Sequence, residues 1–339
     1  MSKVLKYLLG FSFGLCLFYF VVKSIGGGKI TEAIFFIFSL QGLILFLISI
    51  VTIFVAVLRR NYIFQNFGAK ISFKDVLQTW FINFALNYFT PVSVAGGEIP
   101  TILILQKKFN IDSINGTSVI LIDEILNATL TFFSILVGMI IFAFYGHFPL
   151  QFISYFIGFI TISLLILLLF FYSKMMKRES FLKWFFQKIK IADNFAKEQN
   201  SSIIFAVEEN LINFFDIKKI SFWKGFLLSL LREILLIFRT GVLIVFLTGG
   251  LELQKVLVIY ALENISSLFP TPAALGSFEL MTWLGFASMN FAKGTSLTFA
   301  LAQRFIDIIL SLIGLTIFII VIFELIKEKI INFFERIFH

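Results

Sequence analysis

The chain has 339 residues, of which 59% are hydrophobic and 14% charged, with a mean hydropathy of +0.98. That is the composition of an integral membrane protein, not of a soluble core. Its net charge of +8 is expected in cytoplasmic loops facing anionic headgroups rather than on nucleic acid, and a lone Cys16 with two distant histidines, His147 and His339, excludes an intrachain disulfide or a metal set.

A hydrocarbon core about 30 Å thick takes about 20 helical residues. Six stretches satisfy this, at about 4–23, 34–58, 117–145, 150–172, 222–247 and 296–325. The first follows a basic N-terminus but has no small-residue cleavage site, so it reads as an anchor. After 34–58, residues 76–90 are apolar yet reach only about 22 Å as a helix. They end at Thr90-Pro91, and proline disfavours helix in the residue before it. A short arm over 98–105 follows, and Lys107-Lys108 mark a return to an interface. Segment 173–221 carries nine Lys or Arg and is too polar to span. Within it Ile204, Val207, Leu211 and Phe214 recur at helical spacing, which predicts cytoplasmic amphipathic helices, on the inner leaflet or as a solvated hairpin. Residues 253–269 and 277–291 then repeat the short-arm design around Pro270. Both regions are expected to be re-entrant hairpins that enter, break near mid-depth and leave on the same side. Two ordinary spanning helices per region are the alternative.

The two breaks match. They read Pro91-Val-Ser-Val-Ala-Gly96-Gly97-Glu98 and Pro270-Thr-Pro272-Ala-Ala-Leu-Gly276-Ser277-Phe-Glu279. Arg60 and Arg239 each lie 31 residues before the proline, and Gly-Thr-Ser follows at Gly116 and Gly294. Positive loops place both termini in the cytoplasm, with Arg59, Arg60, Lys70, Lys74, Lys107 and Lys108 flanking the first hairpin. The expected fold is an all-α integral membrane protein of the cell membrane. It forms one domain over 1–339, with about six full transmembrane helices plus two re-entrant helical hairpins. The architecture is an inverted-topology repeat of about 34–145 and 222–325.

Ionisable groups inside spans are costly and face the interior. Here they are Asp123, Glu124, Arg232, Glu233, Arg239, Glu263, Arg304 and Asp307, of which Arg304 and Asp307, three apart on one face, could pair. As structural ion pairs they would only stitch the repeats. As a cleft for an anionic headgroup, Arg239 and Arg304 lead, with Arg232 next, because a guanidinium fork binds phosphate bidentately and stays charged. New helices near Gly97 and Ser277 would offer free N–H groups. Glu98 and Glu279 would cap those helices, neutralise an arginine or carry a proton. Asn83 and Asn87 lie on the face of the first arm leading to Pro91. Asn115-Gly-Thr, Asn127-Ala-Thr and Asn264-Ile-Ser fit a glycosylation pattern but fall at membrane or cytoplasmic positions and are discounted. No nucleotide motif and no Ser/His/Asp set occurs.

The motif Asn87-Tyr-Phe-Thr-Pro91-Val-Ser-Val-Ala-Gly96-Gly97-Glu98-Ile-Pro100, the second break and Arg304 together resemble the lysylphosphatidylglycerol synthetase transmembrane, or flippase-like, family. The match in order and spacing runs from about 4 to 326. Thr101 stands where the family often has a basic residue, Ala273-Ala274 replace a Gly pair, and Asp123-Glu124-Ile stands where an Arg is common. The family's synthases also carry a soluble acyltransferase domain. The resemblance implies the lipid-translocating half: a translocase, not an enzyme, without cofactor or metal. It would move an anionic phospholipid or polyprenyl-phosphate-linked lipid between leaflets. The substrate-binding set would be Arg232, Arg239, Arg304, Glu98, Glu279, Asp123, Glu124, Asn87, Pro91, Gly96, Gly97, Pro270, Pro272, Gly276 and Ser277. Partners would be membrane lipids, with a homo-oligomer compatible. A small-solute secondary transporter and a polyprenyl-phosphate-dependent glycosyltransferase are the alternatives.

Overall fold

The structure is a computed structural model that describes residues 19, 28–90, 96–146, 151–177, 200–269, 271–292 and 294–338. Apart from Tyr19, the expected first anchor lies outside these residues, as do Pro91, Pro270 and the basic stretch 178–199. Among the described residues there are eleven α-helices and no strand.

The expected stretch 34–58 is two helices, α1 (Gly28–Ile37) and α2 (Leu40–Asn66). Ser39 divides them. Its backbone is extended (φ −86°, ψ 171°), its hydroxyl donates to the Phe36 carbonyl at 2.5 Å, and its oxygen accepts from Gly42 N at 3.4 Å. A serine thus caps a new helix inside a continuous apolar run. α2 then continues beyond Arg59 and Arg60 to Asn66.

α3 (Phe73–Phe89) starts at Ser72, whose side chain accepts from Asp75 N at 3.2 Å. It stops at Thr90, extended with ψ 149°, the setting that a following proline imposes. α4 (Glu98–Phe109) closes on Asn110, which is left-handed at φ 53°. Asp112 caps α5 (Ser113–Tyr145), accepting from Ile114 N at 3.1 Å. α6 (Gln151–Met176), α7 (Asn200–Phe214), α8 (Ile220–Thr248) and α9 (Leu253–Ser266) follow. A single 3-10 turn, Pro272–Ala274, then leads into α10 (Ser277–Ser288) and α11 (Thr295–Phe338).

Leu40–Asn66, Ser113–Tyr145 and Thr295–Lys327 are long and apolar enough to cross a bilayer. α8 and α9 meet that test together, bent by 116° at the break between them. The chain is therefore an all-helical membrane protein with three such helices among the described residues, or four if the bent pair is one span. The apolar face of α7 turns inward. Val207, Leu211 and Phe214 are buried in the main core, and Asn210 donates to Ser118 of α5 at 3.0 Å. This apolar stripe is covered by the protein's own helices.

The packing is reciprocal. α2 lies against α8. α5 packs on α9, and α11 packs on α3. The long helix that follows each break thus crosses the short arm that precedes the other break. Each crossing is closed by a glycine. A Cβ on Gly138 would meet the Cβ of Ala261 and the carbonyl of Leu257, both at 2.5 Å, and one on Gly314 would run into the Phe81 carbonyl. Small residues at such crossings let backbones approach where lipid supplies no hydrophobic drive.

Gly314→Ala is expected to cost about 1–3 kcal/mol through overpacking, read as a lowered thermal midpoint in detergent. Gly158→Ala, which meets nothing within 4 Å, should leave the midpoint unchanged. Equal midpoints for the two variants would contradict the close crossing.

Candidate functional site

The reciprocal crossings leave a cavity of about 370 Å³ between the two halves. Five arginines line it: Arg59 and Arg60 from α2, Arg232 and Arg239 from α8, and Arg304 from α11. Four carboxyl residues share it: Asp123 and Glu124 from α5, Glu263 from α9 and Asp307 from α11. Trp80, Phe84 and Tyr88 form one wall along α3. They sit four residues apart and stack, Trp80 on Phe84 with centroids 5.3 Å apart and Phe84 on Tyr88 at 6.4 Å. A helix presents residues at that spacing on one face.

The arginines are not equivalent. Arg59 Nε lies 2.7 Å from Asp123 Oδ1 and Arg60 Nη2 lies 2.8 Å from Asp123 Oδ2. Arg59 also donates to Ser229 of α8 at 2.9 Å. Both arginines and Asp123 are at most 3% exposed. One carboxylate thus holds two guanidinium groups, and Glu124, 3.8 Å from Arg60, brings a second carboxyl group nearby. Two cations on one anion leave donors over, and Arg60 Nη1 has no hydrogen-bond partner.

Arg304 is fully engaged. It bonds Glu279 through Nε and through Nη2 at 2.9 Å, and donates to the carbonyls of Ala273 and Ala274 at 2.8 Å each. Those alanines are left-handed, at φ 53° and 50°, a region costly for any residue with a Cβ. Arg304 straps down a strained turn. Glu279 also accepts from Gly276 N at 2.8 Å and so caps α10.

Arg239 reaches Gln303 through Nη2, and Asp307 through Nη1 at 3.5 Å. Its Nε has no partner. The expected Arg304–Asp307 pairing is thereby replaced. Arg304 turns to α10, and Asp307 faces Arg239 instead. Arg232 donates to Asn127 of α5 and forms no ion pair among the described residues. Its neighbour Glu233 points elsewhere and accepts from Tyr260 at 3.0 Å.

Of the residues expected to bind substrate, Arg232, Arg239, Arg304, Asp123, Glu124 and Asn87 line the cavity. Glu98, Glu279, Gly96, Gly97, Pro272, Gly276 and Ser277 are not among its lining residues. Glu98 and Gly97 are instead tied to Asn87, whose amide donates to Glu98 at 2.8 Å and accepts from Gly97 N at 2.6 Å. Ser277 donates to the Ser266 carbonyl at 3.1 Å, closing the second break. Pro91 and Pro270 lie outside the described residues.

Arg59 and Arg60 were read as interface markers, and they are buried cavity residues. Their position after an apolar run hid them, although the lone acids of the 117–145 stretch required cations somewhere. Asn127 and Asn264, discounted as glycosylation patterns, also line the cavity. Gln303, which shares the last span with Arg304 and Asp307, bridges Arg239 and Glu263.

A family model described as Lysylphosphatidylglycerol synthase TM region matches residues 7–314. No curated protein and no solved structure matches the chain.

Arg304→Ala leaves Glu279 buried without its cation and is expected to destabilise the protein by about 3–5 kcal/mol. Ala273→Gly and Ala274→Gly should each stabilise it by about 0.5–1 kcal/mol, the left-handed cost less the glycine entropy penalty. Thermal unfolding in detergent measures both, and lowered midpoints for the glycine variants would refute the strained turn.

Proposed function

Because the chain belongs to the lysylphosphatidylglycerol synthase TM region family, we propose that it is a lipid translocase, not an enzyme. It carries the headgroup of an anionic phospholipid or polyprenyl-phosphate-linked lipid through the arginine-lined cavity while the tails stay in the bilayer. One observation carries the reading. Four of the cavity's arginines are held by carboxylates, whereas among the described residues Arg232 is held only by the neutral amide of Asn127. Arg60 Nη1 and Arg239 Nε add two buried donor nitrogens without an acceptor. Unpartnered cationic donors at membrane depth are costly, and a phosphate supplies the acceptors they lack.

This reading reorders the arginines. Arg232 binds the phosphate first, Arg239 and Arg60 contribute their free donors, and Arg304 shapes the turn beside them. Asn87 and Asn83 border the path from α3. Asp123 and Glu124 keep Arg59 and Arg60 in place, so the cavity attracts one anion without trapping it.

The architecture proposed has six full spans and two re-entrant hairpins, α3 with α4 and α9 with α10, and both termini in the cytoplasm. The reciprocal crossings of α5 on α9 and α11 on α3 support a duplicated unit of inverted topology, in which the two breaks approach the midplane from opposite leaflets. Membrane lipids are the partners. A sequence without a nucleotide motif fits transport down a lipid gradient or on an ion gradient.

Arg232→Ala is expected to slow transbilayer movement of fluorescent phosphatidylglycerol in proteoliposomes about 10–100-fold, from the loss of charged hydrogen bonds worth about 1.5–3 kcal/mol. Its thermal midpoint should stay near that of the parent, since Arg232 makes one protein hydrogen bond among the described residues. Lys218→Ala, at an exposed position, should translocate normally. Parental rates for Arg232→Ala would remove the proposed role.

A further inference from the structure

Glu263 differs from every other carboxyl residue in the cavity. It is 8% exposed and forms no ion pair among the described residues. Among the described residues only neutral groups hydrogen-bond its carboxyl: Thr240 donates to Oε2 at 3.3 Å and Gln303 Nε2 donates to Oε1 at 3.2 Å. Asp123 holds Arg59 and Arg60, Glu124 lies beside Arg60, and Asp307 faces Arg239. An ionised carboxylate with two long neutral hydrogen bonds is costly at membrane depth, and a proton removes that cost. A proton on Oε2 simply reverses the Thr240 contact, with the carboxyl donating and the hydroxyl accepting.

Glu263 is also wired to the anion site. Gln303 donates to Glu263 through Nε2 and accepts from Arg239 Nη2 through Oε1. The route is therefore carboxyl, amide, guanidinium, and then Asp307 on the far side of Arg239. The charged groups around Glu263 are few. Arg239 of α8 attracts its charge and Asp307 of α11 repels it. On α5, which packs against α9, Asp123 and Glu124 turn to Arg59 and Arg60. On α10, Glu279 turns to Arg304. On α9 itself, Tyr260 donates to Glu233 and Lys255 pairs with Glu252.

We propose that Glu263 is a proton-binding site coupled to headgroup occupancy, so that an anionic headgroup entering the cavity brings one proton onto Glu263. This rests on the anion-site reading above and adds the coupling ion to it. An anion bound at Arg239 and a negative Glu263 draw on the same guanidinium and repel each other across Gln303. Each therefore weakens the other, and by reciprocity proton and anion strengthen each other's binding. A proton gradient can then set the direction of lipid movement. The proton comes from water on the side to which the cavity is open and leaves with the headgroup on the other.

The test is isothermal titration calorimetry of the full chain in non-ionic detergent with dihexanoylphosphatidylglycerol. Its phosphodiester does not titrate near neutral pH, so any proton taken up belongs to the protein. Comparing two buffers of different ionisation enthalpy counts protons directly. Above the pH at which Glu263 is ionised in the empty cavity, about one proton should be taken up per ligand, and there affinity should fall up to about tenfold per pH unit. Glu263→Gln, neutral and of the same shape, should bind with no uptake and with affinity independent of pH. Binding by the parent chain without proton uptake in that pH range would overturn the proposal whatever the variant does. Undiminished uptake in Glu263→Gln would assign the proton to another group and overturn it as well. No binding at any pH would reject the anion site, and this coupling with it.

Discussion

The structure depends on one constraint: a charge placed at membrane depth must find a partner or be neutralised. Five arginines and four carboxyl residues meet in one cavity, and most of the tertiary design can be read as the answer. Asp123 joins α2 to α5, and through Arg59 to Ser229 on α8. Arg239 joins α8 to α11. Arg304 joins α11 to the turn before α10. These pairs cost desolvation and hold the helices in one register. What remains after they are made is an imbalance among the described residues, Arg232 with no carboxylate and Glu263 with no ion pair, and that imbalance is the chemically available part of the site.

The reciprocal packing explains why the imbalance lies at the centre. Each long helix after a break crosses the other half's short arm, and Gly138 and Gly314 let the backbones touch. The C-terminal ends of α3 and α9 then frame an unfilled volume. Backbone that is neither helix nor sheet is tolerated at such depth only where it faces a cavity or buried protein. The turn at Ala273–Ala274 meets that condition, with its carbonyls taken by Arg304 and its alanines facing the cavity.

The all-helical membrane class was legible from composition, and the paired breaks from the spacing of Pro, Gly and Glu. The family was legible from the same motifs. Helix caps were only partly so: Ser39 divides an apolar run that hydropathy alone joins, because one hydroxyl bonding a backbone N–H changes no average. Partner choice was the least legible. Arg304 was expected beside Asp307 from their spacing on one helix, yet a neighbouring helix offers Glu279 and two strained carbonyls in a better geometry. Arg59 and Arg60 looked like the usual basic edge of a span, since sequence does not say that α2 runs on to Asn66. The substitution of alanines for a glycine pair at 273 and 274 could be noticed but not interpreted until their left-handed angles and the Arg304 strap were seen.

The central claim is that a lipid phosphate occupies the cavity at Arg232. A cryo-electron microscopy map of the full chain in nanodiscs containing phosphatidylglycerol tests it most directly. The account predicts phosphate density within hydrogen-bonding reach of Arg232 and of the free Nε of Arg239, with acyl density leading from it into the bilayer. A cavity holding only water, with the Arg232 side chain turned onto a carboxylate, would contradict it.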